Sequence, residues 1–306
     1  MTYQHAVMRL RRSLLATPGN VPAKVEKALQ LPVDVLMLDL EDGVPDTDSA
    51  KARARETLFE ALSSDREIAP REVAIRINGP RSRWFLDDLQ FISTLKIPTI
   101  VVPMLRDESD MVFVERSLSA VDAPSRLGVI LLIETPSAVL NLPEIVKASS
   151  RVNGLICGGL DYAAEMRSLS ILPLANAASG GREDDDLIYM RQRTLAVGRA
   201  HDLSVLDAMR PSVVSDLEAF RADAKRARWL GFDGIDFFHP AYVEIANDVF
   251  SPSRQELDWA QKVISATASR SKEATASIML DGRVILPQHM EIAQRLIAQD
   301  SAIHAR

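Results

Sequence analysis

The chain has little cysteine and little histidine, and each scarcity removes a class of chemistry. A single cysteine, Cys157, stands among 306 residues, so no internal disulfide is available and no thiolate zinc site can be built. It lies in the apolar run Val152–Cys157 and reads as a small buried residue rather than a reactive thiol. The five histidines form no cluster with metal-ligand spacing, which disfavours zinc. Basic residues are not in excess either: 36 Lys and Arg face 42 Asp and Glu, a net charge of −6. They are interleaved with acids in Lys51–Glu60 and Arg221–Arg228, so the basic stripe of a nucleic-acid binder is missing. No apolar run approaches the length of a membrane span, and the first residues lack an apolar core followed by a small-residue cleavage site. A cytoplasmic protein with no nucleic-acid or membrane partner is the expectation.

What the chain does have is alternation. Short β-branched, apolar runs at Ser13–Thr17, Val33–Leu40, Val73–Ile77, Thr99–Pro103, Gly128–Glu134, Val152–Gly158, Ser204–Met209 and Gly234–Phe238 are each followed by a turn and a helical pattern. Most are apolar throughout, as strands buried on both faces must be. Ala50–Leu62 and Asp216–Leu230 carry helical periodicity; in the second, Leu217, Phe220, Ala224, Ala227 and Leu230 share one face. Eight strands in strict alternation predict an α/β fold, a closed (β/α)₈ TIM barrel over residues 1–252. A doubly wound open sheet is the alternative, but no Gly-x-Gly-x-x-Gly turn follows any strand. Residues 253–306 have another character: a polar helix over Gln255–Ala266, a short strand or turn over Ser277–Leu286, and a final amphipathic helix. They are expected to form a C-terminal extension, a lid over the barrel mouth or an arm to a neighbouring subunit.

In such barrels chemistry gathers at the C-terminal strand ends. Those positions carry Asp39-Leu40-Glu41-Asp42, Arg76-Ile77-Asn78-Gly79, Glu134-Thr135-Pro136, Gly158-Gly159-Leu160-Asp161, Asp207 and His239-Pro240. Glu134 ends an apolar run, where an ionised carboxylate is costly unless a cation or donors meet it. Asp161 follows a glycine pair on the adjacent strand. Two carboxylates from neighbouring strand ends suit Mg²⁺, which retains waters and leaves positions for substrate oxygens. Spacing alone leaves open a salt bridge from Glu134 to an inward arginine. Arg76, framed by Val73, Ile75 and Ile77, must meet anions at the mouth. It is suited to stabilising an oxyanion or gripping a carboxylate, and equally to a structural pair with Glu41. The acid-rich stretch from Gly180 to Asp186 reads as a solvated helix start.

These segments resemble the HpcH/HpaI aldolase and citrate lyase beta-subunit-like family. The similarity runs from Arg11-Arg12-Ser13-Leu14 and Pro18-Gly19-Asn20 through the strand-end motifs above to Gly231-Phe232-Asp233-Gly234, His239-Pro240 and Asn247–Pro252. It implies a TIM barrel in homo-trimers or hexamers. It also implies Mg²⁺-dependent cleavage or formation of a carbon–carbon bond beside a carbonyl, often on malyl-, citramalyl- or citryl-type CoA thioesters. By motif position, Glu134 and Asp161 would hold Mg²⁺ and Arg76 would meet the substrate. Glu41 and Asp42 would support them, with Arg12 and His239 near the substrate or its CoA arm.

Three positions depart from the family pattern. Thioester-cleaving members usually carry an aspartate in a C-terminal Gly-x-x-(Ile/Val)-Asp-x-Pro motif, whereas this chain reads Gly282-Arg283-Val284-Ile285-Leu286-Pro287, with Asp281 ahead of the glycine. Pro103-Met104-Leu105-Arg106 replaces a Pro-Lys-x-Glu run, and Leu160 stands where glutamate is common. Beside the thioester lyase, an aldolase acting on a free 2-oxo acid and a non-catalytic acyl-binding subunit therefore remain as alternatives.

Overall fold

The structure, a computed structural model, describes residues 9–63, 67–171, 186–209, 216–268 and 277–305. Eight parallel strands close into a barrel in sequence order, β1 next to β2 and onward until β8 returns to β1. They are β1 (Ser13–Pro18), β2 (Val35–Asp39), β3 (Glu72–Arg76), β4 (Thr99–Val102), β5 (Gly128–Ile133), β6 (Val152–Cys157), β7 (Ser204–Ala208) and β8 (Gly234–Phe237). Between them run α1 (Pro22–Ala28), α2 (Asp48–Leu62), α3 (Phe85–Ser93), α4 (Glu108–Ala120), α5 (Pro136–Lys147), α6 (Gly159–Glu165), α7 (Ile188–Ala200) and α8 (Leu217–Leu230). The expected fold is the one found. Residues 172–185 and 210–215, which include most of the acid-rich stretch after Gly180, lie outside the described residues.

Strand alternation sends one set of side chains inward and the other against the helices. Leu14, Val35, Met37, Ala74, Val101, Ile130, Leu132, Ile156 and Leu206 fill the barrel interior. Burial of this set, at about 25 cal/mol per Å² of apolar surface, drives closure. On the outer layer, Phe220, Ala224 and Ala227 of α8 are buried as the periodicity requires. Leu217 is exposed instead, because it opens the helix one residue after the capping Asp216.

The N-terminal end of the barrel is sealed by charge. Arg11 is fully buried and donates to both oxygens of Glu72, to Asn153 Oδ1 and to Ser204 Oγ, joining the beginnings of β3, β6 and β7. Arg12, just before β1, grips Asp34, just before β2, with its Nε at 2.8 Å and Nη2 at 2.9 Å. Arg12, expected near the substrate or its CoA arm, stands at the end of the barrel opposite the strand-end carboxylates, where its pair with Asp34 ties β1 to β2.

The chain divides into two compact units, Arg11–Asn247 and a second that contains Asp248–Arg306. The second unit holds α10 (Arg254–Ala268), a hairpin of β9 (Ile278–Leu280) and β10 (Arg283–Ile285), and α11 (Pro287–His304), with α9 (Val243–Val249) at the junction. Ala260, Val263, Ile285 and Ala293 form its small core. Asp281 turns the hairpin in a left-handed conformation (φ 48°) and faces Lys262 at 3.4 Å. Leu286 is exposed at the start of α11.

Candidate active site at the strand ends

Parallel register places Asp39, the last residue of β2, beside Arg76, the last of β3. Met37 and Ala74, two residues earlier on each strand, point inward, so Asp39 and Arg76 do as well. The pair is bidentate: Arg76 Nε donates to Asp39 Oδ1 at 2.8 Å and Nη2 to Oδ2 at 2.7 Å. Asp39 also accepts the backbone N–H groups of Glu41 and Gly43, which folds the following loop back over the strand end. Glu41 Oε2 lies 2.9 Å from Arg76 Nη1, an ion pair without an aligned hydrogen bond. Asp42 stands further off, at 3.7 Å, and is largely exposed. Burial works against the charge of Arg76, but Asp39, then Glu41 and Asp42, offset it and raise its pKa above the usual arginine range. Burial likewise lifts the Glu41 carboxyl to about 7, with Arg76 opposing.

The supporting residues explain why these motifs are built as they are. Lys51 of α2 is buried and donates from Nζ to the carbonyls of Leu40 and Glu41, both at 2.9 Å, with its charge 5.0 Å from the centre of the Trp84 ring. Asn78 donates to the Leu40 carbonyl and to Asp88, pinning the β3 loop to the β2 loop. Lys51 did not stand out in the sequence, where a lysine on a helix is commonplace, and Asn78 was visible only as part of the Arg76–Gly79 strand end.

Glu134 follows β5 and is 2% exposed. Its Oε1 accepts the backbone N–H of Met104 at 2.8 Å. Met104 adopts φ 57°, a left-handed conformation costly for this residue type, which is how the chain after β4 turns that N–H toward the carboxylate. On the other side stands Gly158, where a Cβ would come 2.5 Å from Glu134 Cβ. Only glycine leaves room there. Burial pushes the Glu134 carboxyl well up, and Glu41 and Asp161 push the same way. Asp161 sits in the first turn of α6 rather than on the strand itself. Burial and then Asp42 raise its pKa, while Arg76 lowers it.

One further carboxyl joins the group. Asp236 of β8 is in register with Leu14 and Ala208, and Leu14 is an inward residue, so Asp236 points into the barrel. Arg76 and Asp39 both act on it. The sequence signal was an acid at an inward position of a strand whose neighbours place apolar residues there. His239 follows β8; its Nδ1 accepts the Ala241 N–H and its ring lies edge-on to Tyr242, so it caps a turn.

Arg76 is therefore the positive hub for six carboxyls: Asp39, Glu41, Asp42, Glu134, Asp161 and Asp236. One guanidinium does not balance them, so a cation or bound protons must. No three His, Cys, Asp or Glu side chains converge into a ready-made cage among the described residues. A carboxylate after β5 and one in the first turn of α6, with no cluster of His or Cys beside them among the described residues, fit Mg²⁺ and do not fit zinc.

Comparison with known proteins agrees with this architecture. The family model described as HpcH/HpaI aldolase/citrate lyase matches residues 12–240. A (3S)-malyl-CoA thioesterase of Cereibacter sphaeroides is 30% identical, over 96% of this chain and 96% of the relative. An L-malyl-CoA/beta-methylmalyl-CoA lyase of Rhodobacter capsulatus is 28% identical, over 97% of both. Among solved structures, the CitE protein of Mycobacterium tuberculosis in complex with magnesium, acetoacetate and coenzyme A superimposes with a TM-score of 0.75 at 22% identity, covering 94% of this chain and 97% of that one. Among the described residues no helix is long and apolar enough to cross a membrane. By the extent of the family match and the relatives along its whole length, this chain belongs to the HpcH/HpaI aldolase/citrate lyase family.

Proposed function

We propose that the protein is a Mg²⁺-dependent carbon–carbon lyase, which cleaves or forms a bond beside a carbonyl through an enolate, on a malyl-, citramalyl- or citryl-type CoA thioester. The observation that carries this is the surplus of carboxyls around Arg76, with Glu134 just after β5 and Asp161 in the first turn of α6. Those two residues would hold the metal, which supplies a template and a Lewis acid for substrate oxygens when bound. Arg76 is immobilised by Asp39 on two nitrogens, and its Nη1 meets Glu41 without an aligned hydrogen bond. That side of the guanidinium is suited to an oxygen on which negative charge develops. Glu41 and Asp42 keep the arginine charged and aimed. Relatives named for malyl-CoA chemistry and a structural neighbour holding coenzyme A support the thioester as substrate.

A second reading, an aldolase acting on a free 2-oxo acid, draws on the second unit. Leu286 takes the place where thioester-cleaving members carry an aspartate, and Asp281 is occupied with Lys262. Purified protein with Mg²⁺, assayed against malyl-CoA, citramalyl-CoA and hydroxy-oxo acids, separates the readings. Release of acetyl-CoA supports the thioester lyase and excludes a non-catalytic acyl-binding subunit, whereas turnover of free acids alone supports the aldolase. Glu134→Gln should abolish Mg²⁺ binding by calorimetry; unchanged binding removes the metal assignment.

A further inference from the structure

Bond cleavage through an enolate needs a group that takes a proton and gives it back. This inference rests on the lyase reading above. Most carboxyls at the mouth are already occupied. Asp39 is tied to Arg76 and to two backbone N–H groups. Glu41 is ion-paired with Arg76, and Asp42 is turned largely to solvent. Glu134 and Asp161 are the proposed metal ligands, and a carboxylate held by a divalent cation is a poor proton carrier.

Asp236 is different. Its Oδ1 is sealed from solvent and has no hydrogen-bond partner. A buried carboxyl oxygen left unpaired is unfavourable, and such exceptions in a well-packed interior call for an explanation. Its strand neighbours in register, Leu14 of β1 and Ala208 of β7, bring no titratable group. Asp207, the adjacent acid on β7, is paired with Arg191. The charged groups that act on Asp236 are Arg76, which favours its anion, and Asp39, which opposes it. Burial dominates and pushes the carboxyl up to about 7, where both protonation states are populated near neutrality.

We propose that Asp236, an inward carboxyl of β8 acted on by Arg76 and with one oxygen left unpartnered, is the proton-exchanging residue of this barrel. In the cleavage direction the Asp236 carboxylate takes the proton of the substrate hydroxyl. The O–H electron pair becomes the second bond of the new carbonyl, and the carbon–carbon bond breaks. Its electron pair passes into the enolate of the departing fragment, whose oxygen faces Arg76. Asp236 then returns the same proton to the enolate carbon, forming a C–H bond and restoring the carboxylate. The step needs no oxidant, reductant or further reactant.

The second half of this cycle can be run alone, in reverse, as deuterium exchange into the methyl group of pyruvate or acetyl-CoA. The experiment uses the full chain with Mg²⁺ in D₂O, read by NMR, beside Mg²⁺ titration by calorimetry. Asp236→Asn should lower the exchange rate by about 100-fold or more while leaving Mg²⁺ affinity unchanged. Exchange by Asp236→Asn at the wild-type rate overturns the assignment and leaves the lyase reading standing. Wild-type protein that exchanges neither compound overturns both. Should Asp236→Asn not fold, the wild-type profile decides. Proton removal requires the carboxylate, so exchange must decline as pH falls through about 7. A profile that is flat between about pH 5 and about pH 9 overturns the proposal.

Discussion

Gly158 and Glu134 share one space: the Glu134 side chain occupies the position that any Cβ on residue 158 would need, 2.5 Å from Glu134 Cβ. The glycine after β6 is thus what allows the carboxylate after β5 to stand between Met104 and the α6 turn. Gly158→Ala should displace Glu134, weaken Mg²⁺ binding about tenfold or more, and cost about 1–3 kcal/mol of stability through overpacking. Calorimetric titration with Mg²⁺ checks it, and an alanine variant with wild-type affinity would show that Glu134 does not hold the metal.

Arg76→Lys keeps one positive charge but loses the fork that engages both oxygens of Asp39. Turnover should fall about 100-fold or more, with stability reduced by about 1–3 kcal/mol as the charge-assisted hydrogen bonds to Asp39 are lost. Steady-state kinetics and urea unfolding measure the two effects separately. Full activity in the lysine variant would mean that point charge, not geometry, is what the site uses.

Arg12 makes the opposite prediction. Its buried pair with Asp34 lies at the N-terminal end of the barrel. Arg12→Met should therefore cost about 1–3 kcal/mol by removing two charge-assisted hydrogen bonds from Asp34, which keeps its ion pair with Arg71 at 3.4 Å, while kcat and KM of the folded fraction stay at wild-type values. A raised KM with an unchanged melting temperature would return Arg12 to the substrate.

The metal-free protein should have an unusual pH dependence. Glu41 and Asp236 are raised from 4.5 and 3.8 to about 7 in the fold, so the folded chain holds protons there that the unfolded chain has released. Their contribution to stability is complete below the unfolded values and is lost as pH rises through about 7. Thermal melts in chelator across this range should show the melting temperature falling toward alkaline pH, with a shallower slope for Glu41→Gln. An equal slope in the variant would show that Glu41 does not titrate there.

Much of this site is legible without coordinates. Arg76, Glu134 and Asp161 are each a polar residue where an apolar or glycine-rich strand stops, and the barrel rule says which end of a strand carries chemistry. Asp39 was visible only as part of an acidic run, because nothing local says which of Asp39, Glu41 and Asp42 points inward. Pairing with β3 decides that. The partner of Arg12 was hidden for a related reason: nothing local to an arginine flanking β1 says that Asp34, ahead of β2, stands beside it.

The sequence by itself determined the eight strands and their alternation with helices, because apolar β-branched runs and the turns that follow them are local and repeat eight times. No barrel strand ends more than two residues from where the pattern placed it. Only the tertiary structure decided who meets whom at the mouth. The Asp39–Arg76 grip, the space at Gly158 and the isolation of Asp236 depend on register between strands distant in sequence, and register is set by packing of the whole barrel.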